Sequence, residues 1–308
     1  MSQDLPDTAR ARLAEIKASG TWGSALSTAE FAAIRSVGFV PAGQVFGAAV
    51  FSIKNAGTYD CPTYAGAIRP ASSIQTGRPT VRTAGSSHSS SGNTFWPLVR
   101  AHYQARQVAI DRMVAECVAL DGHGVVGVQF DVEPFPAGGL EVRALGTAIK
   151  APAGPSLQRP FTCERSGQEF AKLMLAGWAP VAIVVGISVG VRHVDNWTSY
   201  QTSLAARGNA EVSAHSEVAN QTRRDATEQL RLDVRKHHGS GVVTREMEMS
   251  FEDFECKGKR EAKDQMAHAT IMGTAITRFG RNQDRFGPMK SNLILSLGDR
   301  VLGDQARS

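Results

Sequence analysis

Part of this chain is written twice, and that constrains its fold more than any single motif. Glu30, Phe31, Ala32, Gly38 and Pro41 recur 139 positions later as Glu169, Phe170, Ala171, Gly177 and Pro180, and Gly47 and Val50 recur as Gly186 and Val189. Gly124-Val125-Val126 returns after 117 positions as Gly241-Val242-Val243, and Gly146-Thr147-Ala148-Ile149 returns after 127 as Gly273-Thr274-Ala275-Ile276. The blocks keep their order, so the changing offsets are insertions and deletions between them. The expectation is a tandem duplication, with any function belonging to two related modules.

A length of 308 residues suits two cores of ordinary size. The organisation read from the repeat is an N-terminal helical extension (1–26), a first module (27–150), a linker (151–165), a second module (166–278) and a C-terminal tail (279–308). The extension lacks the apolar core of a secretory signal, which makes the cytoplasm the expected location. Leu173 to Val191 carries no charge for 19 residues, but Gly177 and Pro180 interrupt it and β-branched residues follow. A helix end and a strand explain it better than a membrane span. The four cysteines form no Cys-x-x-Cys pair, so neither a disulfide framework nor a zinc ribbon is indicated.

Each copy opens with a short helix, Thr28 to Val37 and Gly167 to Ala176. Ser27 and Ser166 act as N-caps, with Glu30 and Glu169 completing capping boxes and Gly38 and Gly177 as left-handed terminators. A strand apolar on both faces follows (Gly43 to Ile53, Val181 to Val191). The polar stretch 71–93 reads as a loop that the second copy lacks. A long helix comes next in each copy and ends at Gly122/Gly124 or Gly239/Gly241. Two strands close the unit, the first alternating Val126, Val128, Phe130 and Val132 against polar neighbours. The fold class is therefore α+β: two tandem modules, each a small antiparallel sheet packed on one long helix. So thin a sheet leaves a face to be covered by the other copy or by another chain.

With these residues in hand, the chain resembles the YbjQ-like family, whose members carry a heavy-metal-binding label. The likeness rests on the helix running into Gly122-His123-Gly124-Val125-Val126-Gly127-Val128, on the strand Gln129 to Pro134, and on Ala144-Leu145-Gly146-Thr147-Ala148-Ile149. A weaker second copy is His238-Gly239-Ser240-Gly241-Val242-Val243 with Met272-Gly273-Thr274-Ala275-Ile276. The resemblance implies a dodecin-like subunit that self-associates into a pentameric ring, and no known reaction. Five modules do not divide among two-module chains. Either one repeat forms the ring and the other caps it, or five chains form two stacked rings.

Candidate binding or interface residues follow the first strand of each copy: Tyr59, Asp60 and Tyr64 in the first, His193, Asp195, Trp197 and Tyr200 in the second. No cofactor is indicated. A transition metal is the alternative, since His193, Asp195, His215, His237 and His238 concentrate donors in the second copy, although no His pair stands at i, i+4 on either helix. Gly186-Ile187-Ser188-Val189-Gly190 satisfies the nucleophile-elbow pattern, but the apolar run continues through Ser188 and its counterpart is Ala49, which argues against a hydrolase. The 34 Lys and Arg interleave with 29 Asp and Glu, and no aromatic platform accompanies Lys257 to Arg260, so nucleic acid is not an expected partner. Leu293, Ile294, Leu295 and Leu297 give the tail a segment that could dock on a protein partner. The reading is a non-enzymatic, ring-forming scaffold or small-ligand-binding assembly. Its alternatives are a heavy-metal-binding protein and, after that, a serine hydrolase using Ser188.

Overall fold

A computed structural model describes residues 5–21, 23–53, 82–83, 95–136, 138–152, 159–203, 209, 211–255 and 263–279. After α1 (Asp7–Ser19), helix α2 (Thr28–Ser36) leads into β1 (Val40–Ser52). Next come β2 (Arg82–Thr83), α3 (Trp96–Ala119), β3 (Gly124–Phe135) and β4 (Gly139–Lys150). The second half runs β5 (Phe161–Thr162), α4 (Gly167–Leu175), β6 (Trp178–His193), α5 (Asn196–Gln201), α6 (Ser213–Lys236), β7 (Gly241–Glu255) and β8 (Lys263–Arg278). One sheet has the order β1-β4-β3-β5 and the other β2-β6-β8-β7.

The capping boxes form as expected, with Ser27 and Ser166 bonded to the N–H groups of Glu30 and Glu169 and each Glu reaching back. Gly38 and Gly177 follow at φ +85° and +79°. Both helices end before Pro41 and Pro180, which lie inside β1 and β6 at register shifts, where a missing N–H costs no ladder bond.

The layers alternate. One face of α3 packs on the first sheet, joining Ala109, Met113 and Cys117 to Val45, Val142 and Ala148. Its first turns, at Val99 and Tyr103, cover Ile187, Val189 and Met266 of the second sheet. Helix α6 lies on the other side of that sheet, through Ala226, Leu230 and Val234 against Val184, Ala269 and Ile271. The second sheet is thus covered on both faces over β6 and β8, while β7 at its margin stays largely exposed. The first is not: β1 alternates buried and accessible residues, which corrects the expectation of a strand buried on both sides. Phe46 and Val50 stand 38% and 52% exposed on its free face.

The contacts of helix on sheet recur at the spacing of the repeat. Phe46 N donates to Glu116 Oε2 at 2.8 Å, and Val185 N to Asp233 Oδ2 at 3.0 Å. A Cβ on Gly47 would lie 2.0 Å from the Ala109 carbonyl, and one on Gly186 would lie 2.0 Å from that of Ala226. The Ala25 N–H donates to Thr147 Oγ1 at 3.1 Å, and the Glu164 N–H to Thr274 Oγ1 at 3.2 Å.

The long helices end before Gly122 and Gly239 as expected, with Asp121 and His238 as the left-handed residues, at φ 55° and 56°. Gly122 is needed for space, since a Cβ there would sit 2.5 Å from Cys117 Sγ. Several local expectations need correction. The alternation expected along β3 breaks at a bulge between Val126 and Gln129, where Gly127 has φ +65°, so Val125, Val126 and Val128 are all buried. In the stretch read as a linker, Phe161 and Thr162 add to β3 as a parallel strand. In the stretch read as a loop, Arg82 and Thr83 pair with Val191 and Gly190.

Candidate functional site

The candidate residues of the second copy separate into two pairs. His193 ends β6, and its Nδ1 lies 2.6 Å from Asp264 Oδ1, both side chains being buried. Asp195 caps α5, accepting from the Thr198 N–H at 2.8 Å, and lies 3.8 Å from buried Arg192. Trp197 and Tyr200 stack with centroids 5.8 Å apart and remain 64% and 50% exposed. The pattern is an internal polar lock beside an aromatic surface, not one convergent site. Tyr59, Asp60 and Tyr64 lie outside the described residues, as do Cys61, Cys256, the segment from Lys257 to Arg260 and the leucine-rich part of the tail.

Ser188 sits in the middle of unbroken β6, fully buried, and its hydroxyl donates to Asp225 Oδ2 at 2.6 Å. A nucleophile elbow needs a strand, a sharp turn and a helix. Ser188 has the strand but neither the turn nor the helix, so the hydrolase alternative is corrected: its hydroxyl ties sheet to helix.

The other described histidines do not assemble into a metal centre either. His237 Nε2 lies 3.7 Å from Asp233 Oδ1, and burial lowers its pKa although Asp233 works the other way. Among the described residues no three of His, Cys, Asp and Glu converge to hold an ion. Cys117 and Cys163 are free and buried, and burial pushes both thiols up to about 12, which keeps them protonated and inert.

A feature that the sequence reading missed is a cleft along the edge of β6, between α3 and α6. A cavity of about 390 Å³ is lined by Tyr103, Arg106, Phe130, Val185 and Met272 among others. It shares Gln107, Ile110, Ile183 and Lys236 with a neighbouring cavity of about 600 Å³. Tyr103 accepts the Ile187 N–H at 2.8 Å, and burial raises its phenol to about 12. Arg106 is 7% exposed. Its guanidinium donates to the His102 carbonyl and meets His102 Nδ1, each at 3.2 Å. Burial, then the charge of Arg106, lowers His102 to about 4, so its ring is neutral. No described carboxylate comes within ion-pair distance of Arg106, although Glu248, which shares a small cavity with it, favours its charge from further away. Arginine at a helix position carries no mark of such burial in sequence, because burial depends on the second sheet closing over α3.

Comparison with known proteins is consistent with this geometry. A YbjQ family model described as "Putative heavy-metal-binding" matches residues 76–152, a span containing α3, β3 and β4. The encapsulin nanocompartment protein Rv1762c of Mycobacterium tuberculosis is 34% identical over 153 residues, covering 47% of this chain and 58% of that protein. This chain therefore matches less than two thirds of that relative's length. No solved structure matches significantly. Among the described residues no helix is long and apolar enough to cross a membrane.

Proposed function

We propose that this chain is a non-enzymatic, self-assembling cytoplasmic protein built from two tandem YbjQ-like modules, spanning 27–150 and 166–278, that close into a ring. The resemblance implies five subunits. The observation that carries the reading is where exposed apolar side chains gather. Phe46 and Val50 lie on the free face of the first sheet, and Val132, Phe135, Met247 and Phe251 on the strands β3 and β7 that border open sheet margins. Open margins of this kind favour pairing with another chain. Duplication is supported by the recurring contacts of Glu116 and Asp233, and assembly by the name of the relative. Native mass spectrometry of untagged protein tests the reading: a discrete oligomer is expected, and a monomer at micromolar concentration would overturn it.

A second function within such an assembly, small-ligand binding, is favoured by Arg106. A buried cation without an ion pair costs several kcal/mol, and a largely apolar cleft that offers it an anion would recover part of that. The matching chemistry is a carboxylate on an apolar chain. Decanoate should raise the melting temperature and decanol should not; equal effects would sink this reading. The heavy-metal label has no fitting donor set among the described residues.

A further inference from the structure

Within one chain the second module docks on the first through a short lead-in segment. Phe161 and Thr162 lie parallel to Gly124 and Val125. The backbone bonds are Phe161 N to His123 O at 3.1 Å, Cys163 N to Val125 O at 2.8 Å, Val128 N to Cys163 O at 3.1 Å and Gly127 N to Arg165 O at 2.9 Å. The lead-in thus completes the margin of the first sheet just where the bulge of β3 turns its amides outward.

Both partners of this contact have a counterpart. Moving Phe161 to Arg165 back by 139 positions gives Trp22 to Leu26, and moving His123 to Val128 forward by 117 gives Ser240 to Arg245. Gly23 to Leu26 and Ser240 to Arg245 keep part of the local geometry of the originals. Ala25 sits on Thr147 as Glu164 sits on Thr274. Ser240 N bonds Ile276 O at 2.9 Å as His123 N bonds Ile149 O at 2.8 Å. β7 carries a register shift between Thr244 and Glu246, near the place equivalent to the one between Val126 and Gln129 in β3, although Thr244 pairs with Gly273 and lacks the left-handed φ of Gly127. The counterparts are nevertheless not joined to each other: among the described residues, the backbone groups of Val242, Thr244 and Arg245 make no bond to a lead-in backbone, and β7 meets the lead-in only through side chains, Arg245 donating to the Glu164 carbonyl at 2.9 Å and Arg165 to the Val243 carbonyl at 3.4 Å. Gly124, Val125 and Val128 are buried, whereas their counterparts Gly241 and Val242 are half-buried and Arg245 is exposed.

We infer that the lead-in around Gly23 to Leu26 of one copy of this chain adds as a parallel strand to the start of β7 in a second copy, repeating between chains the contact made within each chain. The inference rests on the self-assembly reading above and names its interface. The expected bonds run from the Ser24 N–H to the Val242 carbonyl, from the Arg245 N–H to the Ser24 carbonyl, and from the Thr244 N–H to the Leu26 carbonyl. They would remove the open start of β7 as an unpaired edge. The interface is heterologous, each chain giving its lead-in to one neighbour and accepting one from the other, and such contacts close into rings when the rotation allows. All modules then lie in one continuous array of even count, which resolves the mismatch between five-module rings and two-module chains. The helix contact is not copied atom for atom. Gly167, whose Cβ would lie 2.9 Å from Glu30 Cβ, corresponds to Thr28, so α4 of one chain and α2 of the next must stand further apart than α2 and α4 within a chain.

The register of Val125 with Thr162 makes Val242 and Gly23 the facing pair between chains, within reach of a disulfide. In a chain with Cys61 and Cys256 replaced by Ser, Gly23→Cys and Val242→Cys together should give, on mild oxidation, a ladder of covalent oligomers ending at the chain count of the ring. Each single variant should give none, and the two single variants co-expressed should give only a two-chain product. In parallel, amide exchange at Thr244 and Arg245 of the natural chain should be slow in the assembly. An intrachain disulfide, or an intact oligomer with no ladder and fast exchange at those amides, would overturn the inference while leaving self-assembly standing. A monomer would overturn both.

Discussion

Glu30 accepts the backbone N–H of Gly167 at 3.1 Å, so the carboxylate that caps the first short helix also anchors the start of α4. It receives the Ser27 N–H and hydroxyl as well, both at 2.8 Å. Burial alone would raise Glu30, but these bonds hold it below the usual carboxylate range. Glu30→Ala should cost about 2 kcal/mol, a cap plus an anchoring bond. Glu169→Ala, whose carboxylate serves its own cap and Arg165, should cost about 1 kcal/mol. Urea melts compare them, and equal losses would mean that the Gly167 bond contributes nothing.

Acid should loosen the interface between α3 and the second sheet. His102 falls from 6.5 to about 4 through burial first, then the charges of Arg106 and His268. A base with a depressed folded pKa contributes stability above its unfolded pKa and loses it as pH falls through the folded one. The loss therefore runs from pH 6.5 towards 4 and totals about 3 kcal/mol at one unit per 1.36 kcal/mol. Glu164 has the opposite sign. Burial raises it despite Arg165, so its contribution is present at low pH and lost as pH rises through its folded pKa. Chemical melts of His102→Gln, which cannot be charged, should show a flatter profile between pH 6.5 and 4 than the natural chain.

Gly47 and Gly186 are where each long helix crosses its sheet, and their closeness leaves no room for a methyl group. Each added Cβ would fall 2.0 Å from a helix carbonyl oxygen and 2.7 Å from the next backbone nitrogen, that of Met113 or Leu230. Gly47→Ala and Gly186→Ala should each destabilise by about 3 kcal/mol or more through overpacking. Calorimetry would show two comparable drops, and a silent substitution at either would mean that helix and sheet stand further apart.

These two glycines also mark how much was legible from residues alone. The repeat identified them as equivalent because a crossing helix tolerates no side chain, and the capping boxes were readable because Ser and Glu at fixed spacing act locally. What stayed hidden is what one module does to the other. Phe161 and Thr162 carry no strand signal without the edge of β3 beside them, and Arg106 reads as a surface arginine until the second sheet covers α3. His193 and Asp195 are close in sequence, yet β6 ends between their roles, sending one to Asp264 and the other to the cap of α5.

Chelation should leave the fold untouched. Among the described residues the nearest approaches to a metal site are pairs, His193 with Asp264 and His237 with Asp233, and two donors do not hold zinc in a structural site. Protein dialysed against EDTA should melt within a degree or so of the untreated sample, since loss of a bound metal would shift the transition by mass action. A drop reversed by zinc would direct attention to donors supplied by a second chain.

Ser188 separates a structural hydroxyl from a catalytic one. It is fully buried, and its partner is Asp225 on α6 at 2.6 Å, a contact for which the other copy has Ala49 and Val108 at the corresponding positions. Ser188→Ala leaves the Asp225 carboxylate without this donor and should cost about 1 to 3 kcal/mol. Asp225→Asn keeps an acceptor oxygen and should cost less. A structural hydroxyl also predicts that a fluorophosphonate leaves the folded protein unlabelled, since the reagent would have to enter between sheet and helix. Covalent labelling that disappears in Ser188→Ala, with the fold intact by circular dichroism, would make this residue a nucleophile and end the non-enzymatic reading.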